Sequence, residues 1–146
     1  MHIKVKLVTR LYADLGRKGK KNRKGFYEYP EDGKKYIWPE LSEHYPLLDE
    51  QPSQETVTKR LMYRQALEVV RCLEENVVTA PEDADIGAIF GWGFAPWTGG
   101  PLSMIDTIGL DKFVDECNSL RQIHGDVYKI PELLNKMHAN SERFYK

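Results

Sequence analysis

Residues 54–78 (QETVTKRLMYRQALEVVRCLEENVV) constrain this chain more than any other stretch. They place Val57, Leu61, Met62, Ala66, Val69, Val70, Leu73 and Val77 at helical spacing. A stripe that wide is stable only when other elements cover it, because packing rather than propensity holds most helices together. At a rise of ~1.5 Å per residue, a helix of this length approaches 40 Å and spans a small domain. Ser53 precedes it and is suited to accept a free amide of the first turn. The expected architecture is therefore a bundle organised around one long central helix.

The flanking sequence adds more helices. Thr79-Ala80-Pro81-Glu82 reads as a capping box with proline in the first turn, and Asp83 and Asp85 follow where a helix N-terminus favours negative charge. This second helix runs through Ile86, Ala88, Ile89 and Phe90 and stops at Gly91 or Gly93. A glycine-aromatic loop occupies 91–101 (GWGFAPWTGGP), followed by a short turn over 102–108. A helix over 110–124 turns Leu110, Phe113, Val114, Cys117, Leu120 and Ile123 inward and ends at Gly125. Pro131 opens a last helix with Leu133, Leu134 and Met137. No strand is expected beyond residue 54, and the fold class is all-α.

The first third is different. Residues 3–15 put Val5, Val8, Leu11, Tyr12 and Leu15 on one side of a helix, although Ile3, Val5 and Leu7 also alternate as in a short strand. Six cations fall in positions 17–24 (RKGKKNRK), before the aromatic run Phe26-Tyr27-Glu28-Tyr29. Pro30, Pro39, Pro46 and Pro52 then punctuate a connector, which Tyr36, Trp38 and Tyr45 hold against a surface. KGFYEY at 24–29 is echoed by ERFYK at 142–146, which two tandem helical units would explain.

Composition excludes several classes. Twenty-one Lys and Arg oppose 22 Asp and Glu, so no whole-chain field attracts polyanions or membranes. Without the six cations of 17–24, 15 remain against those 22 anions; the basic run reads as a solvated turn and no nucleic-acid partner is expected. No apolar stretch reaches the ~18 residues of a membrane span, and the first 15 residues form no signal peptide. Cys72 and Cys117 lack metal-ligand spacing and read as reduced, buried thiols.

No catalytic constellation is apparent. His2, His44, His124 and His138 sit at a terminus, in the connector or near helix ends, with no motif around them. The glycine loop departs from a dinucleotide fingerprint, because Pro96 stands where the third glycine belongs and a helix precedes it. Its glycines suit close backbone approach, while Trp92, Phe94 and Trp97 offer rigid packing surface, either to lock helices together or to meet a partner. Gly91, Gly93, Phe94, Trp97, Gly99, Gly100, Pro101 and Asp106 are the candidate structural and interface residues. Asp106, an acid in apolar sequence, is expected to cap a helix or satisfy loop amides. Catalytic, cofactor-binding and metal-ligating residues are expected to be absent.

The block Ala84 to Pro101, with Ile105-Asp106 and Gly109, closely resembles the C-terminal helical domain of the multifunctional L-3-hydroxyacyl-CoA dehydrogenases of fatty-acid β-oxidation. Gly16 to Tyr29 is similar to the segment closing the first of that family's two tandem repeats. Arg60 to Glu74 and Glu82 to Asp85 are similar to the second. The resemblance implies a first repeat truncated at its start with its tail at 1–29, a connector at 30–52 and a second repeat at 53–146. It further implies that NAD and the reacting His–Glu pair belong to an N-terminal nucleotide-binding domain of the parent, with an enoyl-CoA hydratase domain upstream. No residue here matches those groups. The implied role is to pack on the nucleotide-binding domain, wall the acyl-CoA cleft and form a dimer-like contact, with self-association of the isolated chain a consequence. Val5, Val8, Leu11 and Leu15 are expected to dock on the second repeat. A free-standing helical module that binds a protein or an acyl-CoA is the alternative. Bacterial cytoplasm is the expected compartment, with mitochondrion and peroxisome left open.

Overall fold

The computed structural model describes residues 3–145, and their side chains from Lys6 onward. Seven α-helices, one π-helical turn, three 3-10 turns and one two-stranded hairpin make up the regular structure among the described residues, so the chain is all-α. It divides into two compact units, 1–51 and 52–146.

In the first unit, α1 (Ile3–Thr9) runs into a π-helical turn, Arg10–Asp14. Residues 3–14 are thus helical, not a strand, and Leu15 caps the end. Val8 is exposed, Leu11 is buried, Leu15 is half-buried, and Val5 lies outside the described side chains. The aromatic run and the connector form an antiparallel hairpin, β1 (Tyr27–Glu28) with β2 (Tyr36–Ile37), and a short helix follows, α2 (Leu41–His44). The reading of 17–24 as a wholly solvated turn fails at Arg17. Its guanidinium lies 3.9 Å from the Trp38 ring centroid, Nε donates to the Gly25 carbonyl at 2.7 Å, and the head group pairs with Glu28 at 2.6 Å. A delocalised cation is weakly hydrated, so an aromatic face and a carbonyl can replace its water.

The second unit is built on α3 (Gln54–Glu74), whose first turn is capped by the Ser53 hydroxyl accepting from the Thr56 amide at 3.1 Å. The helix is shorter than the periodic run. Val77 falls beyond it and is exposed, as are Val57 and Leu61. Leu61 lies roughly 170° round the helix from the stripe of Tyr63, Ala66, Leu67 and Val70, so the true buried face is narrower than the apolar count suggests.

Helix α4 (Pro81–Trp92) starts from Ala80, not Thr79. With proline at the first helical position, the preceding residue must be extended, so Ala80 becomes the cap and Thr79 stands one residue too early to form the expected box. A 3-10 turn, Pro96–Thr98, leads into α5 (Pro101–Ile108). The expected short turn over 102–108 is therefore a helix, started by Pro101. Helix α6 (Leu110–His124) buries Phe113, Val114, Cys117 and Leu120, whereas Ile123 is exposed because it falls outside the arc those residues define. Helix α7 (Glu132–Ala139) closes the bundle. The core joins α3, α4, α5, α6 and α7, with Tyr63 and Phe113 in ring contact at 4.5 Å between centroids.

Candidate interface site

The glycine-aromatic block is organised by one carboxylate. Asp85, on α4, is 2% exposed. Its Oδ1 accepts the Leu102 amide at 2.7 Å, and its Oδ2 accepts the Ser103 amide at 3.0 Å, the Ser103 hydroxyl at 2.7 Å and the Tyr145 hydroxyl at 2.9 Å. Helix α5 has no capping side chain of its own, since Gly100 occupies its N-cap. Asp85 supplies the missing acceptor from another helix, where free amides and the helix dipole both favour an anion.

Gly100 is required for this approach. Its φ of +120° is one that side-chain-bearing residues rarely adopt, and a Cβ there would overlap the Asp85 carboxylate. Pro101, which needs no amide partner at the first helical position, is buried beside it.

The other end of α5 carries Asp106. Its side chain is buried and accepts the amides of Phe144 at 3.2 Å and Tyr145 at 2.9 Å. Burial raises the pKa of the Tyr145 hydroxyl above its ordinary value, and the bond to the Asp85 carboxylate adds to the shift. That hydroxyl is therefore held as a donor.

The block's aromatic residues divide by role. Gly93 adopts a left-handed conformation and turns the chain so that Phe94 enters the core, its amide donating to the Ala88 carbonyl at 3.1 Å. Trp97 faces outward, 86% exposed, on the turn that Thr98 braces with a 2.7 Å bond to the Ala95 carbonyl. Phe90 is 84% exposed and Trp92 57%, although the Trp92 indole N–H donates to Gln65 at 3.0 Å. Gly91 is exposed but lies within α4, which runs on to Trp92, so the loop begins at Gly93 and not at 91; Gly99 is exposed in the turn before α5. The structure thus brings Gly100 and Pro101 together at Asp85, places Asp106 at the far end of the same helix, and leaves Trp97 as surface.

Beside Trp97 runs a groove of about 540 Å³, with Met62, Tyr63 and Met104 among its apolar lining and Lys59 at its rim. Lys59 pairs with Glu116 at 2.8 Å, and Glu116 also accepts the Tyr63 hydroxyl. Burial opposes ionisation of Glu116, but those two bonds outweigh it and hold its carboxyl below the ordinary value. Burial raises the Tyr63 hydroxyl, with Glu116 adding to the effect, and pushes the neighbouring Cys117 thiol up to about 12. A protonated phenol and a protonated thiol offer neither a general base nor a nucleophile near pH 7. Among the described residues, no three His, Cys, Asp or Glu side chains gather as a metal site would require. No helix among them is long and apolar enough to cross a membrane.

Sequence reasoning missed Asp85, Ser103 and Tyr145 as one unit. Asp85 reads as an ordinary acid of a helix's early turns. No local signal marks it, because its partners lie 17 to 60 positions further along the chain.

No protein-family profile matches this chain. Curated relatives do. It is 39% identical over 141 residues to the fatty acid oxidation complex subunit alpha of Shewanella frigidimarina, covering 94% of this chain and 20% of that protein. The same-named subunit of Shewanella amazonensis is 40% identical over 140 residues, covering 93% and 20%. That of Idiomarina loihiensis is 38% identical over 137 residues, covering 91% and 19%. The chain spans about a fifth of the length of these relatives and is homologous to them over nearly all of its own.

Proposed function

We propose that this chain, a homologue of one segment of the fatty acid oxidation complex alpha subunit, is the C-terminal helical assembly segment of a β-oxidation oxidoreductase. The parent oxidises 3-hydroxyacyl-CoA with NAD in a nucleotide-binding domain, together with enoyl-CoA hydratase activity, in a bacterial cytoplasm. This segment contributes no reacting group. It packs on the nucleotide-binding domain, walls the acyl-CoA cleft and makes a dimer-like contact between tandem helical repeats, with residues 1–29 closing the first repeat and 53–146 forming the second.

The observation that carries this reading is the homology over 94% of the chain. The outward-facing Phe90, Trp92 and Trp97 support it, since rigid aromatics with large apolar area are what protein interfaces bury at their centres. The groove beside Trp97 favours a second reading, a module that binds an acyl chain without a dehydrogenase.

The test mixes the purified chain with the alpha subunit of Shewanella frigidimarina produced without its homologous fifth. Co-elution of the two and recovery of NADH formation from 3-hydroxyacyl-CoA are expected. Phe90→Glu with Trp97→Glu should weaken that association at least ~10-fold, as loss of an interface anchor does. NADH formation by the isolated chain would overturn the reading. Tight binding of acyl-CoA by the chain, with no association with the subunit, would favour the second reading.

A further inference from the structure

The segment Arg143–Tyr145 touches both ends of α5. Asp106, on the last turns of that helix, accepts the backbone amides of Phe144 and Tyr145, and Arg143 lies against the same carboxylate at 3.8 Å. From that anchorage the Tyr145 side chain reaches back along the helix, and its hydroxyl bonds the Asp85 carboxylate that caps the N-terminus. The eight residues of α5 give an axis of ~12 Å, a distance a tyrosine and its own backbone can bridge.

The cap is also the attachment point of the loop bearing Trp97. Gly99 and Gly100, both at positive φ, join the 3-10 turn to α5, and the Gly100 amide donates to the Thr98 hydroxyl at 3.2 Å. Two successive glycines are the softest joint in this part of the chain. The Thr98 hydroxyl braces the near side of the joint, and the seating of the next two amides, Leu102 and Ser103, on Asp85 fixes its far side.

We propose that Arg143–Tyr145 is a strap that sets the position of Trp97: seated on Asp106, it holds the Asp85 cap closed through the Tyr145 hydroxyl, and unseated it frees the Gly99-Gly100 joint. Trp97 projects into solvent and nothing else in its own turn reaches the core, so loosening the cap moves this aromatic more than it moves Phe94, which is buried. The strap thereby decides whether the groove beside Trp97 has its wall in place. The inference concerns the fold's own mechanics and stands whether or not the chain serves the parent enzyme proposed above.

The conservative variant Tyr145→Phe removes only the hydroxyl and keeps the ring in its packing. Two measurements on the full chain test the proposal: amide hydrogen exchange, and the indole N–H resonances of the three tryptophans. Loss of a hydrogen bond to a charged group should lower exchange protection at Leu102 and Ser103 by about 10-fold and shift or broaden the Trp97 resonance, leaving that of Trp38 in place. A second variant, Asp106→Asn, attacks the strap at its anchor without touching the cap, and should reproduce the same pattern. Unchanged protection at Leu102 and Ser103 with an unmoved Trp97 resonance in both variants would overturn the strap, even if thermal stability falls, because Tyr145 would then be an ordinary packing contact. A response to Tyr145→Phe but none to Asp106→Asn would likewise overturn it, since the seating would not transmit to the cap.

Discussion

Asp85 and Arg17 are buried charged residues in different units, and they are satisfied in opposite ways. Asp85 is 2% exposed and faces amides and hydroxyls; Arg17 is 8% exposed and faces a carboxylate, a carbonyl and an indole ring. An anion can be held by the dipoles of a helix start alone, because several backbone donors already converge there. A cation has no equivalent backbone receptor in a two-stranded hairpin, so Arg17 recruits a counter-ion and a π face. Both organise a glycine-containing turn, yet Asp85 joins two helices while Arg17 ties together the hairpin and the residues just before it. The same task, holding an irregular turn, is thus solved with whatever partial charges the neighbouring elements expose.

The largest test of this contrast is Asp85→Ala. It leaves the Leu102 and Ser103 amides and the Tyr145 hydroxyl without their acceptor in a buried place, which should cost about 3 kcal/mol or more, read as the midpoint shift in urea denaturation. Gly100→Ala should do nearly as much from the other side, by ~2–3 kcal/mol, since it combines a strained φ with overlap on the same carboxylate. If both changes cost less than Arg17→Lys, the helix start is not the stronger receptor, and the contrast fails. Arg17→Lys keeps the charge but loses the planar fork and its stacking. About 1–2 kcal/mol is expected, with a red shift of Trp38 emission as water reaches the ring.

How far these features were legible follows from their range along the chain. Helix α3, its Ser53 cap, the stop of α4 at Gly93 and the helix 110–124 obey local rules that the residues themselves carry. The side chains of Leu61, Val57 and Ile123 did not follow from periodicity, because an apolar residue on the flank of a stripe counts the same whether or not a neighbour covers it. Helix α5 was hidden for a related reason. Its cap comes from a residue 17 positions earlier, so the local sequence Gly99-Gly100-Pro101 looks like loop alone. Arg17 was hidden among five other cations of its run, with nothing nearby in sequence to mark it; its partner Trp38 lies far along the chain, beyond the hairpin. The glycine-aromatic block could be singled out as a site, whereas the division of its aromatics into a buried Phe94 and an outward Trp97 depended on a left-handed turn at Gly93.

A third charged group sharpens the comparison by being wetter. Glu116 takes bonds from Lys59 and Tyr63 much as Asp85 takes them from amides, but its side chain keeps 24% of its surface exposed. Water screens such a pair, so Glu116→Gln should cost under ~1 kcal/mol, well below Asp85→Ala. Its pH dependence fixes the sign. Because the folded state holds this carboxyl below its ordinary value, its contribution is present above the ordinary carboxylate range and disappears as pH falls through the depressed folded value. Stability followed against pH should therefore decline less steeply in acid for Glu116→Gln than for the parent chain. Curves of equal slope would mean that Lys59 and Tyr63 do not favour the ionised form. Solvent-facing bonds and buried ones would then differ in kind and not only in degree.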